Sequence, residues 1–235
     1  MTNWLTREMK DNVAVVTMGR DKDNRFSGPF VDALRKEMAE LASDDSVKAV
    51  VITGNEKFFS NGLDLDWMKT QGPKELFGFL MNISGFLKDT ALFPKPLIGA
   101  ISGHAFGMGA IWSSGFDYRY VRLDRGWVCF PEMDINIPFS PGMIAICEHG
   151  LGKPVFRTMG FSSTRYAGAE AVDVGWAHGA VAANELLPTA LETARKMAKK
   201  GADAFRLTKE LWAADVVNIM ETRDAEAYKR IPLKL

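Results

Sequence analysis

Short apolar segments of strand length recur along the chain, and turns containing glycine or proline separate them from helix-like patterns. Residues 13–18 and 97–101 are runs of mostly apolar residues that are typical of buried strands. After the first run, a Ser-Gly-Pro turn at residues 27–29 opens a segment with apolar residues at helical spacing. Strands that alternate with helices are joined by right-handed crossovers between parallel strands. This order of segments predicts the α/β class.

Composition excludes several classes of partner and site. Lysine plus arginine and aspartate plus glutamate both number 29, so no basic excess calls for nucleic acid. No apolar run approaches the ~18 residues of a membrane span. The two cysteines, Cys129 and Cys147, lack CxxC spacing, so we expect no disulfide framework and no metal site. We expect a cytoplasmic protein. A peroxisomal location has weaker support, because the final residues 233–235, Leu-Lys-Leu, differ from the peroxisomal Ser-Lys-Leu signal at their first position.

Two loop-to-helix junctions are candidates for chemistry. Residues 58–65 (FFSNGLDL) and 101–109 (ISGHAFGMG) each place glycine between an apolar segment and the beginning of a predicted helix. The beginning of a helix has unpaired N–H groups and a positive dipole end, which favour an anion. Two such junctions that face each other would form an oxyanion hole. The glycine spacing in the second junction is not that of a dinucleotide-binding loop or a P-loop.

Together these segments resemble a known family. Residues 57–68, 101–111, 117–119 and 130–138 (FPEMDINIP) are similar, in the same order, to the motifs of the crotonase superfamily, which contains enoyl-CoA hydratases and isomerases. The resemblance implies a spiral of ββα units with a C-terminal helical trimerisation region, and therefore a homotrimer or a dimer of trimers. It divides the chain into a core, residues 1–185, and a C-terminal helical region, residues 186–235.

The resemblance also implies a set of site residues. The backbone N–H groups of Leu63 and Met108 correspond to the oxyanion donors, and Glu132 corresponds to the catalytic glutamate of the P-E segment. The hydratases of the family have a glycine triplet that corresponds to residues 107–109 here. Their second glutamate lies two residues after that triplet, where this chain has Ile111. Further residues are expected to bind the coenzyme A ester or to shape its site: Arg25, Phe59, Ser60, Asn61, Gly62, Asp64, Gly107 and Gly109.

A single carboxylate is what a double-bond shift requires. We expect Glu132 to remove a proton from carbon 2 of a 3-enoyl-CoA and to return it to carbon 4, so that one group is base and then acid. Its neighbours in sequence are largely apolar, and burial among them should raise its pKa. The chain therefore most resembles the Δ3-Δ2-enoyl-CoA isomerases of fatty acid β-oxidation. No cofactor is expected, since coenzyme A is part of the acyl-CoA substrate.

Other interpretations stay open at this stage. The same fold also supports enoyl-CoA hydratases, decarboxylases and thioester hydrolases, and an acyl-CoA-binding protein without turnover is a third class. We expect three aspartates to support the site or the fold. Asp64 caps the helix that follows it, Asp117 is a structural acceptor, and Asp134 shares the face of Glu132 if the segment is extended. Residues 205–212 are the candidate cover for the adenine ring.

Overall fold

A computed structural model of the protein describes residues 4–19 and 21–230. Residues 233–235, on which the comparison with the peroxisomal signal depends, lie outside the described residues. The strands are, in chain order, β1 (Leu5–Lys10), β2 (Val13–Met18), β3 (Ala49–Thr53), β4 (Phe58–Ser60), β5 (Leu97–Ile101), β6 (His104–Phe106), β7 (Tyr118–Arg122), β8 (Trp127–Cys129), β9 (Tyr166–Ala167) and β10 (Gly179–Val181). The helices are α1 (Gly28–Ser43), α2 (Leu65–Lys69), α3 (Pro73–Ala91), α4 (Met108–Ser114), α5 (Pro141–Leu151), α6 (Lys153–Ser162), α7 (Ala169–Asp173), α8 (Leu186–Met197) and α9 (Ala202–Arg230).

The larger sheet has six strands in the order β1-β2-β3-β5-β7-β10. Its β1 pairs antiparallel with β2, and the other neighbouring pairs are parallel. Parallel strands are covered on both faces and are therefore nearly continuous apolar runs, as β3 and β5 are. Helix α8 covers one face of this sheet through Leu186, Ala190 and Ala194.

The smaller sheet has the order β4-β6-β8-β9. Strands β4, β6 and β8 are parallel, and β9 joins β8 antiparallel. Each consecutive pair, β3 with β4, β5 with β6 and β7 with β8, contributes one strand to each sheet before a helix follows. Three successive ββα units therefore wind around the chain's core, which confirms the predicted spiral fold. The homotrimer stays a prediction.

The C-terminal region packs onto this spiral. Helix α9 is 29 residues long and lies against α3 and α5. Its buried positions recur every three or four residues, which places them on one face of the helix. These positions are Lys209, Ala213, Val216, Met220, Asp224 and Tyr228. The division of the chain at residue 185 stays a prediction, because α8 and α9 both cover elements of the core.

Several short strands were not predicted from the sequence. The two junctions at residues 58–65 and 101–109 contain the three-residue strands β4 and β6. Strands β9 and β10 are likewise only two and three residues long. Strand β1 is largely exposed, so it lacks the apolar pattern of a buried strand. Strands this short are defined by their pairing partners rather than by their own periodicity.

Candidate active site

Three parallel strands of the smaller sheet position the site. Strands β4, β6 and β8 lie side by side, with Phe58 opposite His104 and Phe106 opposite Cys129. The carboxyl ends of parallel strands meet at one edge of a sheet, which is the usual place for a ligand. The residues that follow the three strands therefore come together. They include the three residues predicted to be catalytic.

The turn after β4 leaves one peptide N–H group without a partner. Gly62 has φ +84°, a conformation that glycine adopts without steric cost. Phe26 donates from its backbone N to the Gly62 carbonyl at 2.8 Å, and Asp64 N donates to the Phe26 carbonyl at 2.9 Å. Because peptide groups alternate in direction along an extended segment, the Leu63 N–H points away from Phe26. It forms no hydrogen bond within the part of the chain that is described.

The turn after β6 has the same construction. Gly107 has φ +49° and ψ −122°, and its N–H donates to the carbonyl of Cys129 at 3.0 Å. Helix α4 then begins at Met108, so the Met108 N–H belongs to the first turn and has no partner within the helix. The two turns are in direct contact, since a Cβ atom built on Gly62 would lie 3.4 Å from Met108 N.

Glu132 lies beside these turns. It follows β8 in a 3-10 turn at Pro131–Met133 and is only 6% exposed. A Cβ atom built on Gly107 would lie 3.3 Å from Glu132 Oε1, and Glu132 Oε2 is buried without a hydrogen-bond partner among the described residues. Burial raises the pKa of Glu132 from 4.5 to about 8, and a backbone hydrogen bond opposes the shift. Such a carboxyl group exchanges protons near neutral pH.

A narrow, mostly apolar cavity joins these groups. Of the side chains that line it, Glu132 carries the one carboxyl group, and Ile111 is also in the wall. By the motif resemblance, Ile111 corresponds to the second glutamate of the hydratases. Met108 also lines this cavity. The cavity is lined by Leu63, Met68, Leu80, Met108, Ile111, Glu132, Ile137, Pro138, Met143 and Tyr228.

Several residues of the first motif lie behind the turns. Phe59 is fully buried and stacks on Trp112. Ser60 accepts a hydrogen bond from Gly62 N at 3.2 Å and donates to the Asn24 carbonyl at 2.8 Å. These contacts hold the turn in place from within the core. Direct contact of either residue with a ligand stays a prediction.

The remaining predicted binding residues surround the same turns. A Cβ atom built on Gly109 would lie 2.7 Å from Ser60 Cβ, so glycine permits α4 to approach β4. Asn61 N donates to the Asp23 carbonyl at 2.9 Å. Arg25 is partly exposed and pairs with Asp66 at 2.8 Å and with Asp64 at 3.4 Å. Roles for Asn61, Arg25 and Asp64 in coenzyme A binding also stay predictions.

The supporting acidic residues have separate positions. Asp64 caps α2 by accepting from Trp67 N at 3.2 Å, as predicted. Asp117 accepts from Leu97 N at 2.8 Å and from Lys209 at 2.9 Å, which confirms a structural role. Asp134 is exposed at the end of a 3-10 turn, so the prediction that strand spacing places it on the face of Glu132 is wrong.

Two parts of α9 line different cavities. Phe205 and Trp212, in the predicted adenine cover, line a groove with Asp117 at the amino end of β7 rather than the Glu132 cavity, and their role as an adenine cover stays a prediction. Tyr228 does line that cavity, although no motif singled it out. Its place on the buried face of α9, four residues after Asp224, is the signal that could have identified it.

Within residues 4–19 and 21–230, no group of three or more His, Cys, Asp and Glu side chains is arranged to hold a metal ion. None of the helices in that part of the chain has both the length and the apolar character needed to cross a membrane. A buried carboxyl group beside two unpaired peptide N–H groups is instead typical of enzymes that stabilise an oxyanion.

Comparison with known proteins agrees with this class of site. The family model described as "Enoyl-CoA hydratase/isomerase" matches residues 8–230. Enoyl-CoA delta isomerase 3 of Arabidopsis thaliana is 31% identical over 179 residues, which are 72% of this chain and 74% of that protein. Enoyl-CoA delta isomerase 1, peroxisomal, from the same plant is 27% identical over 203 residues, 83% of each chain.

Solved structures show the same fold. Human mitochondrial delta3-delta2-enoyl-CoA isomerase superimposes with a TM-score of 0.92 at 21% identity, over 97% of this chain and 90% of that one. The protein is thus a crotonase-superfamily enzyme by fold and site. It belongs to the enoyl-CoA hydratase/isomerase family.

Proposed function

We propose that the protein is a Δ3-Δ2-enoyl-CoA isomerase that uses Glu132 as its single proton carrier. The observation that carries the proposal is the cavity wall, in which Glu132 is the one carboxyl group and Ile111 occupies the position of the second hydratase glutamate. An isoleucine side chain neither activates water nor donates a proton. A double-bond shift within the acyl chain needs no water and no second proton carrier, because one carboxyl group can remove the proton and return it.

The reaction is balanced by one proton. Glu132, as carboxylate, takes a proton from carbon 2 of a 3-enoyl thioester, and the electron pair delocalises onto the thioester oxygen. The Leu63 and Met108 N–H groups donate hydrogen bonds to that oxygen, an interaction for which each typically supplies about 10²–10³ in rate. Glu132 then returns the proton to carbon 4, and the double bond lies between carbons 2 and 3.

Burial of the carboxyl group supports this cycle. The raised pKa of Glu132, about 8, makes the carboxylate a stronger base than an exposed glutamate and the acid form a ready donor. Because the base is the charged form, we expect kcat/KM to rise with pH and to level off above about pH 8.

The decisive experiment compares Glu132→Gln with the wild-type protein on synthetic 3-enoyl-CoA substrates of several chain lengths. We expect Glu132→Gln to lose about 10²–10⁴-fold in kcat, while acyl-CoA affinity stays within a few-fold of the wild-type value. Asp134→Asn is the matched control, since it neutralises an exposed carboxylate two residues away. Its activity should equal that of the wild type.

Other outcomes separate the alternatives. Hydration of a 2-enoyl-CoA at a rate comparable with isomerisation would show that Ile111 does not exclude water chemistry and would favour a hydratase. Tight acyl-CoA binding with no chemical change on long incubation would favour a binding protein. Residual isomerisation above about a tenth in Glu132→Gln would remove Glu132 from its role, because a positioned base contributes at least ~10².

A further inference from the structure

The cavity contains a second buried polar group that the proposed reaction does not use. Tyr228, on the last turns of α9, lines the same cavity as Glu132 and is 7% exposed. Its hydroxyl group is buried and forms no hydrogen bond among the described residues. Glu132 Oε2 has the same status. The cavity is therefore lined by a hydroxyl group that lacks an acceptor, on Tyr228, and a carboxyl oxygen that lacks a donor, on Glu132.

Asp224 holds the part of α9 that carries Tyr228 in place. Asp224 lies four residues earlier on the same face of α9 and is fully buried. It accepts from Ser84 Oγ of α3 at 2.6 Å and from Gly142 N of α5 at 2.7 Å. These two hydrogen bonds tie the final turns of α9 to both neighbouring helices. A ring one turn further along is consequently held against the cavity.

A buried hydroxyl without a partner is unfavourable by about 1–3 kcal/mol, so its presence calls for a function. Burial raises the pKa of Tyr228 above its usual range, the nearby Asp224 raises it further, and the Ser140 hydroxyl opposes the shift. The phenol is therefore protonated near neutral pH, where it can donate a hydrogen bond.

We propose that Tyr228 is a positioning residue whose hydroxyl donates a hydrogen bond to Glu132 Oε2 when the carboxyl group is ionised. The hydrogen bond favours the charged form of Glu132 and orients it for proton removal. This inference rests on the proposed role of Glu132 as a base. It makes the C-terminal helix a part of the active site rather than only a covering element.

The test is Tyr228→Phe, which removes one oxygen atom and keeps the ring. We expect the pKa of Glu132 to rise by about one unit, since a hydrogen bond to a charged group is typically worth that much or more. We expect kcat near pH 7 to fall about tenfold, with KM within about twofold, because a hydrogen bond to the ionised base stabilises the transition state more than the bound substrate.

The carboxyl infrared band gives a readout independent of activity. The Glu132 signal is assigned by its disappearance in Glu132→Gln and is followed from pH 5 to 10. The other titratable groups around the site are two thiols and two carboxyl groups. The thiols are Cys129 on β8 and Cys147 on α5, and the carboxyl groups are Asp134, which is exposed, and Asp224 on α9, which is buried. Burial raises the pKa of both thiols, that of Cys129 to about 11, so neither titrates together with Glu132.

Two control variants separate a positioning role from a structural one. Tyr120→Phe removes a phenol hydroxyl that pairs with Thr193 Oγ1 at 2.8 Å on the other side of the core, and it should leave the Glu132 titration unchanged. Ser140→Ala removes the helix cap that accepts from Met143 N. We expect it to lower the melting temperature without moving the titration.

The outcomes distinguish the inference from the proposed function. An unchanged Glu132 pKa in Tyr228→Phe would overturn the inference, as would a Ser140→Ala variant that reproduces the full pKa shift, since the partner of Tyr228 would then be Ser140. If the wild type does not isomerise 3-enoyl-CoA but Tyr228→Phe moves the titration, the proposed function fails and the pairing of Tyr228 with Glu132 stands.

Discussion

Glu132 and Asp224 are both buried carboxyl groups, but their surroundings are opposite. Asp224 is fully buried and receives two hydrogen bonds, from Ser84 Oγ and from Gly142 N. Glu132 is nearly as buried, and its Oε2 atom has no partner among the described residues. A buried acid with its acceptor sites filled stabilises the fold. A buried acid left unpartnered in a cavity is available to a substrate.

The difference shows how one fold separates stability from chemistry. Asp224 lies on α9, which packs against α5, and Glu132 lines a cavity together with Met143 of α5. Position alone therefore does not distinguish the two acids. Hydrogen-bond partners do. Without them, desolvation dominates and raises the pKa of Glu132 to about 8, which is a cost to the folded state that function retains.

The largest expected effect is on the pH dependence of stability. Folding raises the pKa of Glu132 from 4.5 to about 8, so the folded state binds this proton more tightly than the unfolded state. The free energy of unfolding therefore falls as pH rises from about 4.5 to 8, by roughly 4–5 kcal/mol from this one group. Glu132→Gln has no carboxyl group at this position, so its free energy of unfolding should not show this decrease.

Urea denaturation of both proteins at pH 5 and at pH 9 measures the effect. The stability of Glu132→Gln relative to the wild type should increase between the two pH values. Asp134→Asn, which changes an exposed carboxyl group, should follow the wild-type curve. If the free energy of unfolding changed equally in Glu132→Gln and the wild type between the two pH values, folding would not raise the pKa of Glu132. The contrast with Asp224 would then disappear.

The second effect comes from the satisfied acid. Asp224→Ala leaves the Ser84 hydroxyl and the Gly142 N–H buried without their acceptor, each at a cost of about 1–3 kcal/mol. We expect the free energy of unfolding to fall by about 2–4 kcal/mol at pH 7, measured by urea denaturation. Asp215→Ala on the exposed face of the same helix should change stability little. A loss no larger than that of Asp215→Ala would show that these hydrogen bonds do not anchor α9.

Much of the larger sheet could be predicted from the sequence, and the smaller sheet could not. Strands β2 and β5 have the predicted bounds, because each is a run of five or six residues with strong strand character. Strands β4 and β6 have three residues each. A pattern with period two needs more residues than that to be recognised. Their existence depends on parallel pairing, which is a tertiary effect.

The site was predictable where its parts are local. Leu63, Met108 and Glu132 each lie in a short motif, and the structure brings the three to one edge of the smaller sheet. Tyr228 lies in a long polar helix without a motif, and it reaches the cavity because the buried face of that helix packs against α3 and α5, to which Asp224 also ties it. Contacts of this kind are set by packing between distant segments, so the sequence alone does not reveal them.

The smallest effect tests whether Glu132 needs the open space beside Gly107. Gly107→Ala places a methyl group about 3.3 Å from Glu132 Oε1 and forces alanine to φ +49°, a conformation that costs about 1–3 kcal/mol. We expect this loss in the free energy of unfolding, with a decrease in kcat larger than the change in acyl-CoA affinity. Gly78→Ala in α3, where a Cβ atom would meet nothing within 4 Å, is the matched control and should gain about 0.5–1 kcal/mol. Full activity in Gly107→Ala would show that the carboxyl group of Glu132 does not depend on the shape of this turn.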